Sequence, residues 1–371
     1  MVYKTSISYF KNTTIFAKKE SMKIKDLTAF LETIAPPSYQ ESYDNAGLIV
    51  GNPDTELSGV LVCLDSTEAV IDEAIDLGCN LVVAHHPIVF RGLKRFNGQN
   101  YVERTIIKAI KNDVAIYAIH TNLDNVYQNG VNGKIAEKLG LDNTRILAPK
   151  QQLKKLFTFV PATHSEALRD ALFAAGAGQV NGLEQISYAT LGVGTVDGQV
   201  GAQMKLEVVF ASALQGQILA ALKQFHPAEN APYDLISIEN SSVEIGSGMI
   251  GNLKKPMKPM AFLKFLKETM RAGCIRYTPV LDKDISTVAV CGGAGGFLLN
   301  QAIRQKADIF ITADYKYHEF FDADNQIIIA DIGHFESEQY TIELLFDLIS
   351  KKFSNFAAHF TKVNTNPVNY L

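Results

Sequence analysis

The chain has 371 residues, 47% hydrophobic and 20% charged, with 35 Lys and Arg against 39 Asp and Glu for a formal net charge of -4. That length supplies two or three cores, since single domains usually run to about 100–200 residues. The balanced, slightly acidic charge excludes the broad basic surface of an electrostatic nucleic-acid binder, and no run approaches the roughly 18 apolar residues of a membrane span.

Residues 1–21 carry Lys4, Lys11, Lys18 and Lys19 but no apolar stretch of signal-peptide length, so they are expected to be a flexible leader, without export. Cys63, Cys79, Cys274 and Cys291 show no CxxC spacing and sit in or beside apolar segments. They predict buried free thiols in a reducing, cytoplasmic compartment. An amphipathic helix pattern covers residues 22–34. Residues 59–65 read as a strand and 67–77 as a helix ended by Gly78. The run Asn80-Leu81-Val82-Val83-Ala84 is a strand that ends in His85-His86-Pro87, the proline stopping regular pairing. Residues 102–110 read as a helix, and the strand at 114–119 ends in His120-Thr121-Asn122-Leu123-Asp124. This βαβ repetition predicts a largely parallel sheet with helices on both faces.

From 151 to 250 the order changes. Strands at 155–161, 187–193, 206–210 and 232–238, with helices at 165–175 and 214–225, give βαββαβ, hence an inserted ferredoxin-like α+β domain. His164 and His226 lie beside turns and are expected at the surface. Lys254, Lys255, Pro256 and Pro259 read as an exit linker, followed by a helix at 262–270. Then α/β order returns: a strand at 287–291, a glycine turn at 292–296, a helix at 297–305, a strand at 308–312, and a strand at 326–332 leading into Gly333-His334-Phe335-Glu336-Ser337-Glu338. The α/β domain is therefore expected to be discontinuous, 22–150 and 251–371, around the insert at 151–250.

Three strand ends thus carry metal-ligand types. Imidazole with carboxylate suits zinc, iron or manganese, and a carboxylate can bridge two ions about 3.5–4 Å apart. Open α/β sheets bind ligands beyond the carboxyl ends of their strands. If these strands share one sheet, His85, His86, Asp124, His334 and Glu338 converge on one crevice able to hold two divalent ions. Glu338 is the candidate bridge: at i,i+4 from His334 it shares a helix face with it, whereas Glu336 points elsewhere. Singly, the pieces have plainer readings, as a polar turn, a cap for the helix near Gly130 and an acidic helix start. Their joint occurrence carries the metal reading. The glycine turn either offers amides to a phosphate or is a plain tight turn; it lacks the Lys-Ser/Thr of a P-loop.

The stretches Asp44-Asn45-x-Gly47-Leu48-x-Val50-Gly51, His85-His86-Pro87, His120-Thr121-Asn122-x-Asp124, Gly292-Gly293-x-Gly295, Thr312-x-Asp314-x-Lys316-Tyr317-His318 and Gly333-His334-x-x-x-Glu338 resemble, in this order, the Nif-three-like dinuclear-metal family. Its members are also called GTP cyclohydrolase 1 type 2 homologues. The resemblance covers nearly all of residues 22–371. Tyr43 departs from it, standing where the family usually has Trp. The resemblance implies the five ligands above, a PII/CutA-like insert and a toroidal homohexamer whose metal sites face an internal cavity. It also implies attack at C8 of the purine in GTP, opening the imidazole ring and releasing formate. By placing residues 312–318 beside the cavity it makes His318 the expected general acid/base and Lys316 a substrate contact. His120 either orients Asp124 or a substrate, or is a satisfied core histidine; Asp44 and Asn45 suit an Asx-turn at the entrance. Two metal ions lower the pKa of a bound water, so the expected function is hydrolysis of a nucleotide or related small molecule, with Glu338 and His318 as catalytic groups. Phosphoester hydrolysis and a non-catalytic hexameric metal-binding scaffold are the alternatives. Strong nucleic-acid binding is not expected.

Overall fold

A computed structural model describes residues 22–196, 198–354 and 356–371; the expected leader lies outside them. Three sheets organise the described residues. The first runs in spatial order Gly47–Val50, Ala115–Ala118, Leu81–Ala84, Val60–Cys63, Ala358–Phe360. Only the Gly47–Val50 pairing is antiparallel. Its three middle strands are buried at every residue, which is why they read as unbroken apolar runs rather than alternations. Helices Glu68–Asp76 and Tyr101–Lys111 make the crossovers. Each starts at a side-chain cap, Thr67 accepting from Val70 N and Asn100 from Glu103 N.

The second sheet has the order Arg276–Tyr277, Ile328–Asp331, Ile309–Ala313, Ile285–Ala294, Gly246–Met257, Leu141–Pro149. Its centre is parallel and its edges antiparallel. The strands expected to share one sheet are therefore divided, two in the first and Ile328–Asp331 in the second. A strand-end motif specifies an edge and says nothing about which sheet owns it. The two sheets meet in one core: Val62, Val83 and Tyr117 from the first, Val290, Ile311 and Ala330 from the second, and helices Ile24–Ile34, Val131–Leu139, Pro259–Thr269 and Tyr340–Lys352. Alternate residues turn outward. Leu61, Val82 and Ile116 pack under the crossover helices, and Ala289, Phe310 and Ile329 pack with Leu298, Leu299 and Ala302. Each such Val, Leu, Ile or Phe side chain contributes about 1.5–3 kcal/mol on burial.

The third sheet, Ser187–Val196, Gln199–Ala211, Leu153–Val160, Tyr233–Ile238, is antiparallel throughout. Leu168 and Leu172 of helix Ser165–Ala174, with Ile218 and Leu222 of helix Gln215–Phe225, pack on Leu156, Leu206, Val208 and Phe210. The βαββαβ order is as the sequence led us to expect. Its entry and exit are adjacent: Pro149 is the register partner of Gly246, and Lys150 N donates to Ile245 O at 2.8 Å.

Several local expectations are corrected. Lys254, Lys255 and Pro256 are not a linker but belong to strand Gly246–Met257. They fall where its register shifts between Asn252 and Met257, so the missing N–H of Pro256 breaks no ladder. His226 is buried rather than superficial, its Nε2 3.0 Å from Phe159 O. Cys274 is exposed, while the other three cysteines are buried. No helix among the described residues is long and apolar enough to cross a membrane.

Candidate metal centre

The carboxyl ends of Leu81–Ala84, Ala115–Ala118 and Ile328–Asp331 open on one cavity of about 490 Å³, with His86, His120, Asp124, His334 and Glu338 in its wall. His85, next to it, is fully buried. Asp124 closes the short helix Thr121–Asp124 and so leaves the sheet with its carboxylate turned inward. Gly333, at φ 94°, breaks the strand and starts helix His334–Glu338, whose i,i+4 ends meet with His334 Nε2 3.2 Å from Glu338 Oε2.

Every imidazole has one nitrogen fixed from behind. His85 Nδ1 donates to Ile119 O at 2.8 Å, His86 Nδ1 to Asp65 Oδ1 at 2.8 Å, His334 Nδ1 to Asp314 Oδ2 at 2.7 Å and His120 Nδ1 to Asp44 Oδ1 at 2.7 Å. With Nδ1 donating, Nε2 of a neutral ring is a lone pair, the state that binds metal. Those lone pairs face carboxylate oxygens. His86 Nε2 lies 3.0 Å from Glu338 Oε2, and His85 Nε2 lies 3.6 Å from Asp124 Oδ1 and 3.8 Å from Glu338 Oε1. The last two gaps exceed a hydrogen bond, and His85 Nε2 and Asp124 Oδ1 are buried with no partner. Acceptors facing acceptors in a closed space require positive charge between them. The donor set therefore fits divalent ions.

The titration of the groups agrees. Burial pushes His85 down and keeps it neutral, with Glu338 only partly opposing this. Burial also disfavours charge on His86 and His334, yet Asp65 and Glu338 raise the first to about 9, and Glu338 and Asp314 the second to about 11. Burial works against the Glu338 anion, but His334 and His86 outweigh it and hold the carboxyl well below the usual range. Asp124 goes well above that range, because burial and the neighbouring Glu338 act together. Protons here supply the positive charge that the carboxylates demand.

Glu338 comes this close because the opposing strand carries no side chain. A Cβ on Gly293, which has φ 63°, would stand 2.5 Å from Glu338 Oε1, and one on Gly292 would stand 3.2 Å from Glu338 Cγ. The amides of this turn are already engaged, Gly292 N by Asn132, Gly293 N by Ser337 and Gly295 N by Thr312. Residues 292–294 continue strand Ile285–Ala294 and only Gly295 and Gly296 turn the chain, so the phosphate cradle is the reading the geometry disfavours.

The five expected ligands and His120 come together; Lys316 and His318 do not join them. Neither lines the cavity, and Lys316 Nζ lies 3.7 Å from Glu319 while His318 stacks on Phe321. The carboxylates Asp65 and Asp314 escaped the sequence reading as site groups. Asp65 ends the strand run at 59–65 on the same sheet edge as His85, which was the available signal; Asp314 sits at φ 58° just past Ile309–Ala313.

A mixed α/β chain that gathers His, Asp and Glu donors of this kind around one buried glutamate belongs to the class of candidate metal-binding proteins. Comparison with known proteins narrows this. Residues 22–367 match the Duf34/NIF3 (NGG1p interacting factor 3) family, and the chain belongs to it. A Bacillus subtilis relative named GTP cyclohydrolase 1 type 2 homolog is 33% identical over 95% of this chain and 100% of its own length. A Halalkalibacterium halodurans relative of the same name is 35% identical over 92% and 96%. The crystal structure of a Bacillus cereus protein related to NIF3 superposes with a TM-score of 0.81, at 34% identity, over 95% of this chain and 100% of that one.

Proposed function

We propose that the chain binds two divalent ions, zinc, iron or manganese, through His85, His86, Asp124, His334 and Glu338, and is a metal-dependent hydrolase of a nucleotide or related small molecule. One observation carries the reading. Glu338 belongs both to a group with His86 and His334 and to a group with His85 and Asp124, as a bridging carboxylate between two ions would. Bound there, the ions would supply a water of lowered pKa as nucleophile near neutral pH. The protein's own part is to hold that set rigid, through Asp65, Asp314 and Ile119 behind the imidazoles. His120, fixed by Asp44 and edge-on to His85 and His86 at 5.3 and 5.4 Å, is placed to orient a substrate.

The cavity wall favours a heterocyclic target over a phosphoester. Tyr43, Phe90 and Phe297 offer faces for a flat ring, and among the described residues no Lys or Arg lines the cavity. Without Lys316 or another cation in the wall, only the ions would balance phosphate charge. The relatives' name, GTP cyclohydrolase 1 type 2 homolog, points the same way, to a purine nucleotide, and the resemblance implies opening at C8. Incubation of the metal-loaded protein with GTP tests it: loss of the purine absorbance band supports ring opening, phosphate release alone supports phosphoester hydrolysis, and neither leaves the metal-binding scaffold.

The same reading takes the insert expected at 151–250, shortened to the segment between Pro149 and Gly246 because Gly246–Met257 pairs in the second sheet, as a PII-like domain and the assembly as a cytoplasmic homohexamer. The adjacent entry and exit strands support the insert, since inserted domains join where few contacts cross. A chain in which a short loop joins Pro149 to Gly246 should fold and keep its metal; precipitation or loss of metal would count against the insert. Light scattering should give six chains per particle, and a stable monomer would refute the assembly.

A further inference from the structure

Beyond strand Ala358–Phe360 the chain stays on the body. Thr361 N donates to Val62 O at 2.8 Å, and the following residues run to the cavity, where Asn366, Pro367 and Val368 form part of the wall. Two neighbouring side chains then grip opposite halves of the ligand set. Thr365 Oγ1 donates to Asp65 Oδ2 at 2.8 Å, and the other oxygen of that carboxylate holds His86 Nδ1. Asn366 Nδ2 donates to Glu336 Oε1 at 3.1 Å, inside helix His334–Glu338. Past them the ring of Tyr370 seats on Gly273, where an added Cβ would come within 2.3 Å of it.

We propose that Thr365 and Asn366 are positioning residues of the metal centre: Thr365 orients His86 through Asp65, Asn366 anchors helix His334–Glu338 through Glu336, and together they fix the spacing between the two sheets' ligands. The proposal rests on the metal reading above. A ring held only by a carboxylate that can itself rotate samples many orientations. A hydroxyl on the far oxygen removes that freedom, and the pair of contacts ties the two sheets together, because Asp65 follows strand Val60–Cys63 of the first and Glu336 lies in the helix that follows strand Ile328–Asp331 of the second. Outer partners of this kind are worth about 10–100-fold in metal affinity.

The test is Co(II) titration of the full, metal-stripped chain against a chromogenic chelator. Thr365→Val keeps the shape and removes the hydroxyl. It is expected to weaken one of the two ions about tenfold or more, with Thr365→Ser restoring it. The thermal midpoint of the stripped protein, which a merely structural role would lower, is expected to hold. Added to Asp65→Ala, the Val variant should cost little further, since the hydroxyl then has nothing to orient. Wild-type affinity for both ions in Thr365→Val, no rescue by Ser, or full additivity with Asp65→Ala would overturn the proposal. Should Thr365→Val not fold, Asn366→Asp sets like charges together at Glu336 and should weaken the ion near His334 and Glu338; unchanged affinity there would equally overturn it. A wild-type chain that takes up no Co(II) refutes the metal reading itself, and the proposal with it.

Discussion

The two ligand-bearing sheets and the antiparallel third sheet bury their residues in different ways. In the first two, the central strands are covered on both faces, so every residue of Leu81–Ala84 and Ile328–Asp331 is buried and the only outlet for polar chemistry is the strand end. Leu153–Val160 of the third sheet alternates buried with more exposed residues, because its helices cover one face. A parallel centre thus collects functional groups at one edge, whereas a one-sided sheet spreads its polar groups along its length. The candidate metal centre lies at the edge where two such centres meet, and the third sheet supplies none of its candidate ligands.

The sharpest way to break this contrast is to remove the group shared across the junction. Glu338→Ala is expected to lose most bound metal on elemental analysis of the purified protein. Glu343→Gln, on helix Tyr340–Lys352 and paired with Lys138 away from the cavity, is expected to keep it. Equal metal content in the two variants would sink the bridging role.

Much of this was legible because buried parallel strands announce themselves as apolar runs and their ends as sudden polar clusters. Leu81–Ala84 with His85 and His86 is the plainest case. What escaped was what those signals do not encode. The division into two sheets depends on pairing partners far along the chain, such as Leu141–Pro149 with Gly246–Met257. The first of these strands carries Asp142, Asn143, Thr144 and Arg145, with Asn143 at φ 50°, and gives no apolar run at all. Asp65 and Asp314 act through imidazoles 21 and 20 residues away, which no local pattern encodes, and Thr365 stands 300 residues from the carboxylate it holds. His226 looked like a turn residue because a distant carbonyl satisfies it.

A milder perturbation should separate the two regions energetically. Phe210 is fully buried in the third sheet's own core, which shares no residue with the core between the other two sheets. Phe210→Ala is expected to cost about 3–5 kcal/mol of local stability. Hydrogen exchange should show faster opening of residues 153–238, while metal content and exchange at 81–84 and 328–331 stay as in the wild type. Loss of metal would mean that the third sheet is coupled to the centre.

The smallest expected effect concerns the entrance loop of the first sheet and appears only against pH. The Asp44 side chain is wholly enclosed. Burial alone would raise its pKa, but His120 Nδ1, the Thr121 amide and hydroxyl, and the Asn45 amide outweigh this and hold it at about 2. A carboxylate depressed from 3.8 to about 2 contributes about 2 kcal/mol of folding stability. Because the folded value is the lower one, that contribution is complete above the unfolded carboxylate pKa of about 3.9 and is lost as pH falls from about 4 through 2. Asp44→Asn should therefore be less stable than wild type in denaturant titrations at pH 7. The gap should narrow to about a third of that size as both are taken to pH 2.5. A gap of the same size at both pH values would mean that the Asp44 charge is not what holds His120 and the entrance loop in place, and that shape alone does so.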